Sequence, residues 1–432
     1  MALSNRAKRY VKEVYRDTRR KVKKVVLAAP FWVLLAALVM TGTGIGRYIY
    51  LTGQRYDQNM ASYWINDSET LARHMSVYSR GARYGGDMTP PIYISQSVSL
   101  SKSDIITIRT SLQNFVDSSS GVAGKTGLGN DGRPRGWEDC YSSYLSATVD
   151  TVPDPNSETP LSFTSTCDII AIDGNYPVFH PFTYLSGGFL PEIVEDARQI
   201  VLNDVLAWKF YKSYDIIGNK VKLWGEEFTV IGVVSEPSDR IAISAAGGEI
   251  PRAYVYFSAM EDLAPLTAPS GSTDNSQSGS GGSSSNTAQP TTAPAAEGQT
   301  GSADPSAVPG SGSNSRPVMA VLCYEAMLPE IIKGVAKTDM SSSVPNYNPV
   351  DQNFYVLSNT GRFNVWNVWK LMSPIGQFES SVSDFDFPFW EKTAQLATEH
   401  LYVDEWLTIS GVVLLGTGSI MAILRFRKMS RK

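Results

Sequence analysis

The chain has little of what metal and nucleophile chemistry is built from. Histidine occurs three times, at His74, His180 and His400, and cysteine three times, at Cys140, Cys167 and Cys323. No HExxH and no CxxC is present, so a zinc site has no support. The phosphate-cradling run GxxxxGK followed by Ser or Thr is also missing, which excludes a P-loop ATPase of the usual kind. Serine is abundant, but no GxSxG elbow with a plausible base accompanies it, so a hydrolase has weak support. The residues nominate no catalytic group, no cofactor contact and no metal ligand, and an enzyme is not expected.

Charge is missing from two runs. Val25–Gly46 (VVLAAPFWVLLAALVMTGTGIG) and Leu407–Leu424 (LTISGVVLLGTGSIMAIL) contain no charged residue over 22 and 18 positions. Both lengths fall within the roughly 17–25 residues that cross a hydrocarbon core. The lack of any ionisable group in either run disfavours ion or proton conduction through this chain alone. Glycine punctuates both. Gly42 and Gly46 are four apart, as are Gly418 and Ala422, and small residues at that spacing let membrane helices pack closely.

What is present around these runs sets the topology. Ten basic side chains fall in residues 1–24 against Glu13 and Asp17, and Arg425–Lys432 holds five more with no acid. Of 38 basic and 42 acidic residues, almost all the acid therefore lies between the two runs. The positive-inside rule places both basic ends in the cytoplasm and the acidic middle outside. A cleaved signal peptide is disfavoured by the long basic lead and the want of a clean cleavage site. Nucleic-acid binding by the basic end is disfavoured by its position against an apolar span. Leu3, Ala7, Tyr10, Val14 and Thr18 recur at three- and four-residue steps, the pattern of an amphipathic helix on the inner membrane surface or a cytoplasmic partner.

The exported region reads as α+β. Arg55–Ser79 carries an approximate helical stripe (Met60, Trp64, Leu71, Met75, Tyr78) and is expected to continue the first span as a stalk. Ile92–Leu100 alternates as a strand, and Ser103 or Asp104 caps a helix on Ile105, Ile108, Leu112 and Phe115. Tyr141–Val152 and Leu161–Ile172 follow as a hairpin. Cys140 immediately precedes it and Cys167 lies in its second strand. Folding about Pro153–Pro160 sets Cys140 opposite Asp173, six residues from Cys167, so register disfavours a bridge between them but leaves it open. Cys323 is expected to be buried and reduced. A second unit repeats the order: strand Arg198–Leu202, a helix capped by Asn203 or Asp204, a turn at Gly218, and a hairpin over Ser213–Val234. A Gly225-Glu226 loop suits a II′ turn and sets Leu223 against Phe228 and Val221 against Val230. Ala253–Phe257 is a further strand.

Residues 264–316 are almost entirely Ser, Gly, Thr, Ala, Pro, Asn and Gln, a composition expected to stay disordered. The chain thus divides into a basic amphipathic helix 1–24, a span 25–46, a core 52–263, an insertion 264–316, the remainder of the exported domain with a stalk 317–405, a second span 407–424 and a basic tail 425–432.

The order QIVL, short helix, aromatic, IGNKVKLWGEEFTVIGVV and then IPRAYVYF resembles the MacB-like periplasmic core domain of ABC transporter permeases. YLSGGFLPE (Tyr184–Glu192) resembles the phrase that introduces that domain's second β-α-β-β unit, and the glycine-punctuated pattern from Gly218 through Val233 resembles the one that closes it. The likeness spans Arg6–Phe257 and continues more loosely to the C-terminus. It implies an extracytoplasmic core of repeated β-α-β-β units tethered by one N-terminal and one C-terminal membrane helix. It also implies a type VII system, in which a separate ATP-binding subunit splits ATP in the cytoplasm and motion crosses the membrane. A second permease subunit, or a homodimer, would complete the assembly. Such permeases carry three membrane helices after the exported domain, with a cytoplasmic loop that touches the ATPase. Here one apolar run follows, which leaves the basic N-tail as the candidate contact. A membrane-tethered scaffold that has lost transport is the alternative.

Overall fold

The computed structural model describes residues 10, 12–19, 29–55, 60, 72–79, 100–119, 132–134, 136–153, 162–194, 196–246, 248–263, 319–329, 337–348, 353–372, 385 and 387–430. The Ser/Gly-rich insertion, most of the basic N-tail and residues 92–99 of the expected first strand lie outside these residues. Within the tail, residues 12–19 are helical.

Two long helices bracket the fold. α1 (Ala29–Gly53) and α9 (Phe389–Ser430) are both long and apolar enough to cross a membrane. Leu38, Val39, Ile49, Val412, Val413, Ile420 and Ile423 point outward from them and are exposed. An aqueous protein would not leave such a band uncovered, whereas lipid covers it without cost. α9 joins the stalk and the second span in one unbroken helix of 42 residues, about 63 Å long at 1.5 Å per residue.

The two helices pack at small residues, but not at Gly42 and Gly46, around which a Cβ would meet nothing within 4 Å. The seam falls on Gly44, where a Cβ would lie 2.9 Å from the Asp404 carbonyl, and on Gly411, where it would lie 2.8 Å from the Thr41 amide. Gly418 completes it against Leu34 at 2.9 Å. Positions two apart on a helix point to opposite sides, so a seam through Gly44 turns Gly42 and Gly46 outward. Ala422, one turn beyond Gly418, is half-buried. Gly411→Leu should therefore force the helices apart and cost about 1–3 kcal/mol, while Gly42→Leu should be near neutral. Unfolding in mixed micelles, followed by circular dichroism, measures the difference.

Among the described residues, ten strands form one mixed sheet: β1 (Ala72–Ser79), β2 (Glu138–Thr151), β3 (Thr164–Gly174), β4 (Thr183–Gly187), β5 (Gln199–Asn203), β6 (Lys220–Leu223), β7 (Glu226–Ser235), β8 (Arg252–Tyr256), β9 (Cys323–Pro329) and β10 (Phe354–Ser358). Their order is β10-β1-β9-β2-β3-β8-β5-β7-β4, with β6 bridging β7 back to β2. That bridge closes β2, β3, β8, β5, β7 and β6 into a ring, and β9, β1 and β10 extend from it as a wing. Strands on both sides of the insertion thus belong to one sheet. The short helices are α2 (Lys102–Ser119), α3 (Tyr176–Phe179), α4 (Asp204–Tyr211), α5 (Arg240–Ala246), α6 (Phe257–Leu263), α7 (Lys337–Ser343) and α8 (Val365–Met372).

Four further expectations change. Residues 72–79 form β1 rather than a helical stalk. His74 through Ser79 are all buried because both faces of β1 are covered, His74 and Tyr78 by Phe179 and Phe387 on one and Met75 and Val77 within the main core on the other, which removes the alternation that marks a strand. The α2 cap is Ser101: its hydroxyl accepts the Asp104 amide at 3.2 Å, and the Asp104 carboxylate accepts the Ser101 amide at 2.8 Å. The β6–β7 hairpin turns at Trp224-Gly225, pairing Val221 with Phe228 and Leu223 with Glu226. Both loop residues have positive φ (53° and 89°), the I′ form, for which glycine suits the second position. This register differs from the expected one by two residues, so Val221, Leu223, Phe228 and Val230 still share the buried face.

The fourth change concerns the cysteines. Cys140 pairs with Gly174 and Cys167 with Ala147, which separates them by seven rungs, about 23 Å. A disulfide needs Cα atoms within about 7 Å, so Cys140 and Cys167 do not bridge. All three cysteines are free and buried, Cys323 included. Burial, then the Glu325 charge, pushes the Cys140 and Cys323 thiols well up, which keeps them protonated and inert.

In the second unit, Asn203 caps α4 as expected, accepting the Leu206 amide at 2.9 Å. The two phrases of the resemblance meet in space. A Cβ on Gly232 would collide with the backbone of Gly188, so β7 and the segment after β4 approach too closely for any side chain there.

Candidate functional site

The base of α9 is built into the sheet by three consecutive residues. Phe389 lies under the Arg252 guanidinium of β8, 3.9 Å from ring centroid to carbon. Trp390 packs against the His180 ring at 4.6 Å and the Tyr176 ring at 5.8 Å. Glu391 receives Arg362 in a two-pronged pair at 2.6 and 2.8 Å, with the Tyr78 hydroxyl donating at 3.2 Å. The Arg362 and Glu391 side chains are 3% and 2% exposed. Burial, then the Glu391 charge, raises the Tyr78 phenol well above its ordinary range, so Tyr78 remains a donor.

Next to this clamp the sheet carries a second buried charge. Glu325, on β9, is 1% exposed. One of its oxygens faces His74 Nε2 at 3.0 Å and accepts the Ser76 hydroxyl at 3.0 Å. The other faces His180 Nε2 at 2.5 Å and the Cys140 thiol at 3.9 Å. Asn359 closes the group, its amide donating to Ser76 Oγ at 2.6 Å. Burial alone would raise the Glu325 carboxyl, but the charge and hydrogen bond of His180, then those of His74, outweigh it and hold it well below the usual carboxylate range. His180 joins the two groups, since the ring that meets Glu325 also packs on Trp390.

Ser, His and Glu side by side invite comparison with a catalytic triad, and the geometry rejects it. In a triad the imidazole sits between hydroxyl and carboxylate. Here the Ser76 hydroxyl gives its proton directly to Glu325, and His74 is a separate donor to the same carboxylate. Ser76, His74 and Glu325 are all buried, which leaves no approach for a substrate. The arrangement satisfies a buried charge with four donors and fixes β1, β9, β2 and α3 relative to one another.

Two small cavities, of about 260 and 310 Å³, flank the clamp and share Arg252 and Phe389 among their linings. Arg252 is itself held by Glu236 at 2.5 Å, with the Tyr254 hydroxyl on the other Glu236 oxygen at 2.6 Å. The α1 side is tied as well: Arg55, just past α1, pairs with Asp239, whose carboxylate also accepts the Ile241 amide at the start of α5. Ile241 then packs with Val368, Ala394, Ala397, Leu401 and Tyr402 in a second, smaller core between the sheet and the membrane helices.

The sequence profile of the MacB-like periplasmic core domain matches residues 58–280, just over half of the chain. The chain belongs to that family. Among solved structures it is similar to the periplasmic region of MacB from Actinobacillus actinomycetemcomitans, at 13% identity over 66% of this chain and 88% of that one, with a TM-score of 0.33. It is also similar to the extracellular domain of the noncanonic ABC-type transporter YknZ from Gram-positive bacteria, at 10% identity over 66% of this chain and 99% of that one, with a TM-score of 0.30. No curated protein sequence matches it. In this MacB-like core the matched segment ends before β9, β10 and α9, so Glu325, Arg362 and Glu391 all lie beyond it.

None of the clamp residues was nominated from the sequence. His74, His180 and Glu325 are separated by more than a hundred positions each, and only the order of strands brings them together. One signal was available: Glu325 sits within VMAVLCYEAML, and a lone acid in an apolar strand requires a buried partner.

Proposed function

We propose that this protein is a permease-like, non-catalytic membrane subunit of a MacB-type ABC transport or mechanotransmission system, in which a separate cytoplasmic ATP-binding subunit drives the extracytoplasmic core. Family membership supports the class. The observation that carries the mechanism is the continuity of α9, which runs from the buried Glu391–Arg362 pair through the apolar span without a break. A helix anchored at one end by ion pair, cation–π and ring contacts delivers a shift in the membrane to the sheet as a rigid-body movement. The Gly44–Gly411 seam makes α1 and α9 move together, and Arg55–Asp239 gives α1 its own attachment to the core. Both termini lie in the cytoplasm in this reading, where the basic N-terminal segment meets the ATPase. A homodimer, or a pair with a second permease, completes the assembly.

Purification of the tagged chain in mild detergent should recover an ATP-binding-cassette subunit or a second permease. Replacing residues 1–24 by an unrelated basic anchor should release the ATPase while leaving the chain in the membrane. Recovery of neither partner contradicts the proposal. Full function with the replaced anchor would instead favour a tethered scaffold, because transmission needs an inner contact.

A further inference from the structure

Where the two membrane helices meet the core, a groove of about 600 Å³ opens between α1, α8 and α9. Ile45, Tyr48 and Ile49 of α1, Val365, Trp366 and Trp369 of α8, and Ile409 of α9 make it almost wholly apolar. α8 presents aromatic residues at this level, and Trp366 is 72% exposed. Exposed tryptophan at the end of a span is the signature of the headgroup layer, where an apolar ring with one polar edge sits best.

One lining residue does not fit an apolar surface. Glu405 is 6% exposed, and neither carboxylate oxygen has a hydrogen-bond partner among the described residues. Its neighbours are already committed. The Tyr48 hydroxyl donates to the Phe363 carbonyl at 2.6 Å, and the Thr408 hydroxyl donates to the Asp404 carbonyl at 2.8 Å. Arg47, on α1, pairs with Asp404 at 3.2 Å. A buried carboxylate without a donor is costly, and natural proteins retain such a group where it meets something.

We propose that this groove is a binding site for a membrane lipid whose headgroup ends in a primary ammonium, its N–H groups donating to the Glu405 carboxylate (which the N–H-free choline headgroup cannot do) and an acyl chain lying along Ile45, Ile49 and Ile409. The apolar lining runs on into the outward faces of two membrane-spanning helices, so a lipid chain is the occupant already beside it. The unpaired carboxylate supplies the charge complementarity that selects among lipids. The inference goes beyond the transmission role and needs only that α1 and α9 cross the membrane.

Trp366 and Trp369 report on the groove directly. The full chain is placed in phosphatidylcholine nanodiscs containing either phosphatidylethanolamine or phosphatidylglycerol with dibrominated acyl chains, and tryptophan quenching is titrated. The Trp366→Phe/Trp369→Phe variant supplies the background from the other tryptophans. Groove-specific quenching should favour the ethanolamine lipid by about fivefold, the ratio that a contact of about 1 kcal/mol gives. Glu405→Gln should abolish the preference without changing the circular dichroism, and Glu405→Asp, which keeps the charge, should retain it. Equal quenching by the two lipids in the native chain would overturn the proposal. A preference that survives in Glu405→Gln, or one that Glu405→Asp loses, would overturn it too.

Discussion

Arg362→Ala is expected to lower the stability of the core by about 3–5 kcal/mol, the cost of leaving one partner of a buried ion pair without the other. The reasoning rests on burial. Among the described residues, Glu391 keeps only the Tyr78 hydroxyl and the Gln395 amide, at 3.2 and 3.0 Å, once the two guanidinium contacts are gone. Water cannot replace them at a side chain 2% exposed. The double variant Arg362→Met/Glu391→Met should be more stable than either single change, because it removes the charge together with its partner. Thermal unfolding of the three proteins in one detergent decides the matter. A double variant no better than Arg362→Ala would mean that the charge itself is not what the site must satisfy.

Glu325→Gln should have an effect of similar size, about 3–5 kcal/mol at neutral pH. The carboxylate accepts from four sides, whereas an amide must turn its NH2 group toward a donor. The pH dependence carries a second check. The Glu325 carboxyl titrates lower in the folded protein than in the unfolded chain, where a glutamate ionises at about 4.3. Its contribution is therefore fully present above that value and is lost as pH falls below it toward the folded pKa. The gap in unfolding temperature between the native chain and Glu325→Gln should narrow from pH 7 to pH 3.5. A constant gap would show that the amide fails for reasons of shape rather than charge.

What could be read from the residues followed from local rules. Asn203 could be chosen as a cap because its side chain reaches the amide three residues on, a property of the residue and not of the fold. The faces of the β6–β7 hairpin were legible because Val221, Leu223, Phe228 and Val230 alternate. Its turn was not, because Gly225 can serve as the first residue of one two-residue loop or the second of another. β1 was misread for a related reason. Met75 and Tyr78 are spaced as on a helix, and only the distant Glu325, Phe179 and Asn359 side chains explain why His74 and Ser76 are buried as well. The seam presented three glycines at equal spacing, and which of them faces α9 depends on a rotation that spacing does not set. The clamp lay furthest from view. Glu391 falls within the segment expected to carry the stalk, but its partners Arg362 and Tyr78 come from opposite ends of the exported region and meet through long-range strand order.

The central claim is that the sheet and the stalk of α9 move as one body because of this clamp. Pulsed electron-resonance distances test it most directly, with spin labels on Lys222→Cys in β6 and Glu399→Cys in α9. Both positions are exposed, and the native cysteines are buried. A rigid attachment predicts a single narrow distance in the intact chain that broadens when Arg362→Ala is added. A distribution already broad in the intact chain, or one that Arg362→Ala leaves narrow, would contradict it.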